Sequence, residues 1–250
     1  MLIKGIVLQK ISFLLLCFLL VFTSQKALAA DCSVNSGSDT SISADCDGFD
    51  LDSSNSNTIT IDLGVTVSDA GNVIYLKEDL FKLDIKGLVQ PSNGYSTGLY
   101  LTQYNKNNTV TLTTLDISGT LGLSSNDGRR GIIMYNAPSL PGNTVIGTLN
   151  NTCTIIGDAA MSLYNRSIIT TLNNSGSITG VGHTGIIHYG NNTQANNGYF
   201  GTINNSGTIQ GAAPAIILYN YTYITNLINT GTISTRGVRE TIKNCACGIS

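Results

Sequence analysis

The sequence predicts an all-β chain built as a β-solenoid of about six parallel coils behind an N-terminal cap, and three observations predict it. A short motif of apolar and amide residues recurs six times after residue 80, and a second, tyrosine-tipped motif alternates with it. Most of the length variation between copies falls in one connection, which a stack of coils tolerates and a closed globular core resists.

The first motif reads Leu83-Asp84-Ile85-Lys86-Gly87-Leu88-Val89 and Leu115-Asp116-Ile117-Ser118-Gly119-Thr120-Leu121 in its early copies. It continues as Leu149-Asn150-Asn151-Thr152-Cys153-Thr154-Ile155, Leu172-Asn173-Asn174-Ser175-Gly176-Ser177-Ile178, Ile203-Asn204-Asn205-Ser206-Gly207-Thr208-Ile209 and Leu227-Ile228-Asn229-Thr230-Gly231-Thr232-Ile233. The leading residues are 32, 34, 23, 31 and 24 positions apart. The second motif covers 101–105, 132–136, 161–165, 185–189 and 215–220, and its tyrosine precedes the next leading residue by 11, 14, 8, 14 and 8 positions. Units this short, β-branched and rich in Gly and Asn do not suit helical repeats.

Stacking the coils in parallel places Leu115, Leu149, Leu172, Ile203 and Leu227 in one apolar column, and Leu121, Ile155, Ile178, Ile209 and Ile233 in another. Asn151, Asn174, Asn205 and Asn229 then share a register, and their amides are expected to hydrogen-bond along the axis as a structural ladder. The glycine that follows them is expected to take positive φ at a tight turn. Cys153 stands where Gly176, Gly207 and Gly231 stand and breaks the pattern.

Ahead of the repeats, 59–67 alternates like a strand and reads as an early coil. Residues 1–29 read as a secretory signal peptide: Lys4 and Lys10 open it, 11–22 is apolar, and Ala27-Leu28-Ala29 offers the small residues that signal peptidase accepts. Cleavage is expected before Ala30. The apolar run is shorter than the roughly 20 residues that cross a bilayer, so no membrane span is expected in the mature chain. The domains are therefore the signal peptide 1–29, an acidic cap 30–57, repeats 58–234 and an irregular tail 235–250. Cys32 and Cys46 are expected to form a disulfide in an oxidising exterior, while Cys153, Cys245 and Cys247 have no assigned role.

Removing the signal leaves 10 basic against 15 acidic residues, a charge of −5, with eight aspartates between 31 and 69. That balance disfavours nucleic acid as a partner.

The run Thr-Leu-Asn-Asn-Ser-Gly-Ser-Ile-Thr-Gly at 171–180, its copies at 202–211 and 226–234, and the signal peptide resemble the passenger domains of bacterial autotransporters. The resemblance implies a right-handed β-helix on the surface of a Gram-negative cell or secreted from it, commonly for adhesion to glycans or proteins of a host or neighbouring cell. Autotransporters end in an outer-membrane β-barrel, and the alternating strands of one are not found before Ser250. The product is then expected to be a truncated relative, or a passenger secreted without its own anchor.

Chemistry is sparse. His183 and His188 are the two histidines, and their odd separation on a strand is expected to point them to opposite sides, away from a shared metal. The loop 124–130 ends in Asp127-Gly128-Arg129-Arg130, read as a turn followed by solvated arginines, with an acidic sugar as its alternative ligand. A β-helix polysaccharide lyase or hydrolase is the enzyme alternative. It needs carboxylates clustered on successive coils, and Asp116, Asp127, Asp158 and Glu240 do not recur in one register. No catalytic group, metal or cofactor is expected. The tail carries Arg239 and Glu240 where inward apolar residues would cap the stack, so self-association through this end is expected, with Cys245 or Cys247 able to cross-link copies.

Overall fold

The computed structural model describes residues 30–35, 37–103, 108–125, 127–191 and 198–236. The expected signal peptide, Cys245, Cys247 and nearly all of the tail lie outside these residues. The described chain winds as a right-handed parallel β-helix of seven turns. Three parallel sheets form its faces. The first begins with Thr40–Ile42 and ends with Tyr223–Asn229, the second begins with Thr66–Asp69 and ends with Thr232–Thr235, and the third begins with Phe49–Leu51 and ends with Ile216–Tyr219.

Seven coils are present where about six were read, because stacking starts within the segment assigned to the cap. Thr40–Ile42 pairs with the strand Asn55–Ile61, and Phe49–Leu51 pairs with Ile74–Leu76. The aspartates there have a local reason. Asp39 accepts the Thr58 backbone N–H at 2.8 Å and Asp45 that of Thr66 at 2.7 Å, so side chains of the first coil satisfy backbone donors of the second.

The apolar columns stack as the repeat spacing predicts. Leu83, Leu115, Leu149, Leu172, Ile203 and Leu227 are consecutive partners in the first sheet, and Leu121, Ile155, Ile178, Ile209 and Ile233 in the second. Leu149, Leu172 and Ile203 are wholly buried, each such side chain contributing about 1.5–3 kcal/mol of transfer free energy. Leu227 is partly exposed, since no described strand of its sheet lies beyond it.

In the third sheet one alignment differs from the reading. Ile132 pairs with Leu99 and Tyr135 with Thr102, so the strand Thr97–Thr102 sits two residues earlier than a match of Tyr104 to Tyr135 requires. Both settings keep alternate residues inward, so the apolar pattern alone does not separate them.

The repeated glycines owe their place to contact rather than to positive φ, which among described glycines is confined to Gly37, Gly64, Gly122 and Gly128. A Cβ on Gly207 would lie 2.1 Å from the Gly176 carbonyl oxygen, and one on Gly176 would lie 2.2 Å from that of Cys153. Each turn thus rests directly on the backbone of the turn before it. At the other copies two successive N–H groups donate to one carbonyl of the preceding coil, as Ser206 and Gly207 do to Asn174. At Cys153 the pattern keeps the Thr152 donation to Ile117, and the next contact, Thr154 N–H to Gly119, stretches to 3.2 Å. The turn gives way slightly to fit a side chain, and the thiol is exposed.

Candidate functional site

The amide register is a continuous hydrogen-bonded ladder. Asn151 Nδ2 donates to Asn174 Oδ1 at 2.7 Å, Asn174 to Asn205 at 2.6 Å, and Asn205 to Asn229 at 2.7 Å. The same nitrogens of Asn151, Asn174 and Asn205 also donate to the carbonyls of Ser177, Thr208 and Thr232. Asn151, Asn174 and Asn205 are buried, and this inward column continues back through Ile117, Ile85 and Ile61. The ladder therefore begins against an isoleucine, leaving Asn151 Oδ1 buried without a partner.

A second amide row faces outward. Asn204 donates to Asn173, Asn173 to Asn150, and Asn150 to Asp116, each at 2.8 Å. Lys82 closes the row with a 2.6 Å ion pair to Asp116. Burial opposes ionisation of Asp116, but the hydrogen bonds from Lys82 and Asn150 outweigh it and hold the carboxyl below its usual range. With Thr152, Ser175 and Ser206, the amides of this row (Asn150, Asn173 and Asn204) line a shallow groove of about 330 Å³.

On the third sheet, tyrosines at matching register stack along the axis. Ring centroids are 6.0 Å apart for Tyr135 and Tyr164, 5.3 Å for Tyr164 and Tyr189, and 5.1 Å for Tyr189 and Tyr219, the last two pairs nearly parallel. Their faces are spent on one another, so the strip presents ring edges and hydroxyls. The recurring tyrosine was visible in the sequence, but its outward direction follows only once the strand register is known.

The loops from the second sheet to the third form a wider, open recess of about 600 Å³. Two longer loops, 123–129 and 181–185, flank a turn reduced to Asp158. The Asp158 N–H donates to the Arg129 carbonyl at 2.6 Å, while its own carbonyl accepts from Gly182 at 3.3 Å and His183 at 2.8 Å. One residue thereby ties both walls. Arg129 reaches back one coil to the carbonyls of Asn93 (2.8 Å) and Ser92 (3.0 Å) and pairs with Asp127 at 3.3 Å, and Arg130 bonds Ser162 Oγ at 2.9 Å. The arginines are thus coil-to-coil ties and not the solvated pair that the sequence suggested. The Ser125 hydroxyl and the Arg129 guanidinium hold the Asp127 carboxyl below its usual range.

No family model, curated protein or solved structure matches this chain.

The histidines separate as their spacing implies. His183 is exposed on the recess wall, and its proximity to Asp158, 25 positions earlier, was missed because only coil stacking brings them together. His188 is wholly buried, in a column where adjacent coils place Leu163 and Leu218. Its Nε2–H donates to the Asn165 carbonyl at 3.3 Å, leaving Nδ1 unpartnered. Burial lowers its pKa to about 4, against the opposing pull of the Asn165 bond. A base with a depressed folded pKa stabilises the fold fully above its unfolded value near 6.5 and progressively less as pH falls towards 4. Denaturant titration at pH 7.5 and pH 5 is expected to show a loss of roughly 2 kcal/mol from this residue. His188→Leu should remove that part of the pH dependence.

Cys32 and Cys46 form a disulfide with Cα atoms 5.2 Å apart, both buried at the start of the helix. Among the described residues no group of three or more His, Cys, Asp or Glu side chains is placed to hold a metal ion.

Proposed function

We propose that this chain is an exported, surface-displayed or secreted β-solenoid of structural or adhesive function, similar in kind to the autotransporter passengers its motifs resemble. The observation that carries this reading is the in-register stacking of three parallel sheets, continuous from the strand Leu80–Ile85 onward in the first sheet, which turns each outward position into a row repeated at the coil spacing. Rows of amides and tyrosine edges offer many weak, similar contacts, which suit an extended glycan or protein surface better than one small molecule.

A binding role is favoured over hydrolysis or lyase chemistry. Asp127 is neutralised by Arg129, and Asp84 and Asp116, which share a register, pair with Lys86 and Lys82. Nucleic acid is disfavoured by the mature charge of −5. The exposed Leu227 and Ile228 at the last described coil support end-to-end association of copies.

The test is expression in a Gram-negative host, with N-terminal sequencing of exported material, a non-reduced peptide map, and adhesion of beads coated with the purified product to host cells. An N-terminus at Ala30, a Cys32–Cys46 peptide and saturable adhesion are expected. Retention in the cytoplasm with Met1 intact, or beads no stickier than uncoated ones, would contradict the proposal. Cleavage of a polysaccharide panel by the pure protein would favour the enzyme instead.

A further inference from the structure

We infer that the recess between loops 123–129 and 181–185 is a binding site for a neutral hexopyranose unit of a glycan, with Tyr95 as its platform and Asp158 as its floor. The inference rests on the binding-module reading above and names the ligand class and the place where it is held.

Tyr95 is the most exposed large hydrophobic side chain among the described residues, at 87%. Its backbone has φ 62°, a left-handed conformation that is strained for a non-glycine residue and persists only where its surroundings enforce it. The ring lies against Gly128, where an added Cβ would sit 2.7 Å from the ring carbon Cδ1. Gly128, itself at φ 91°, therefore supports one side of the ring and leaves most of it to solvent. An open aromatic face beside polar groups suits a ligand with an apolar C–H face and hydroxyl edges. In the tyrosine strip, by contrast, neighbouring rings cover the faces.

The floor and the opposite wall supply the polar groups. The turn at Asp158 is shorter than its neighbours on both sides, so two coil spacings, about 10 Å, separate the walls. The Asp158 and His183 side chains take no hydrogen bond from other described residues, and both line the recess. A carboxylate accepts two hydroxyl donors in a charge-assisted way, and a neutral imidazole both donates and accepts. Of the charges here, Asp127 and Arg129 offset each other and Asp158 remains, so the recess repels acidic sugars. The acidic-sugar alternative for the 124–130 loop is disfavoured for the same reason, since Arg129 and Arg130 are each held by two hydrogen bonds within the protein and Arg129 is paired with Asp127. The site is preformed: the backbone bonds of Asp158 fix both walls before any ligand arrives.

The experiment is binding of the exported protein to an array of neutral, amino and acidic oligosaccharides, followed by calorimetry on the best neutral ligand. Tyr95→Gly is the decisive variant, because glycine takes φ 62° without strain and the fold should be at least as stable as the parent. Tyr95→Gly is expected to weaken binding at least tenfold and Asp158→Asn several-fold. Phe81→Ser, which removes an exposed aromatic on the first sheet, should change nothing. No neutral sugar bound at millimolar concentration, preference for acidic or amino sugars, or equal affinities for parent, Tyr95→Gly and Asp158→Asn would overturn the site. Cell adhesion that survives Tyr95→Gly would remove this site while leaving the adhesive module standing. A parent protein that binds sugars yet does not adhere would do the reverse.

Discussion

Replacing Asn174 with alanine is expected to lower the unfolding free energy by about 3 kcal/mol, while Asn226→Ala changes it by no more than about 0.5 kcal/mol. Asn174 accepts from Asn151 and donates to both Asn205 and the Thr208 carbonyl, so its loss strands buried groups on the coils either side. The cost lies in those orphans more than in the bonds themselves, since a buried acceptor without a donor loses its hydration and gains nothing. Asn226 is exposed in the last strand of the same sheet and belongs to neither amide row. Asn165 is an unsuitable control despite its loop position. It holds φ 55°, its amide bonds the Asn136 carbonyl, and its own carbonyl accepts from His188. Equilibrium denaturation of the three proteins measures the difference, and equal midpoints for Asn174→Ala and Asn226→Ala would contradict the ladder.

Gly207→Val is expected to cost more, about 3–5 kcal/mol, and to loosen the last two turns first. Its Cβ would need the space of the Gly176 carbonyl oxygen, which already accepts the Thr208 N–H at 2.8 Å. Overpacking of this kind costs about 1–3 kcal/mol, and parting the turns also weakens the donations from Gly207 to Asn174 and from Thr208 to Gly176. The opposite change is informative. Cys153→Gly should stabilise the fold by about 1 kcal/mol, because the turn can then settle onto Gly119 and recover a second donation to Ile117. Hydrogen exchange at the Thr154 amide would report the tightening, and unchanged protection there would contradict it.

Registers across 23 to 34 residues were legible because the repeat itself carries them: once Leu149 is matched to Leu172, the neighbouring Asn, Ser and Ile positions follow. The inward Asn ladder followed in the same way. What the repeat does not carry was hidden. The glycines were read as positive-φ turn residues when they are points of close approach, since composition does not tell the two apart, and the distinction lies in the carbonyl of another coil. The first coil escaped notice because Thr40–Ile42 and Phe49–Leu51 are short and lack the Asn-Asn-Ser-Gly signature. The recess around Tyr95 was illegible for a stronger reason. Its residues come from four loops of one to seven residues, outside the repeat pattern, and meet only through stacking.

The central claim is that successive copies of the repeat lie one rung apart along a single axis. Lys82, Thr114, Thr148, Thr171, Thr202 and Asn226 occupy one outward position on consecutive strands of the first sheet. Spin labels placed on pairs of these residues, read by dipolar spectroscopy, test it directly. The spacing of parallel strands predicts about 10 Å between labels at Lys82 and Thr148 and about 24 Å between Lys82 and Asn226, rising by one strand spacing per coil. Distances that follow sequence separation instead, with the 23-residue step from Thr148 to Thr171 shorter than the 34-residue step from Thr114 to Thr148, would contradict the solenoid.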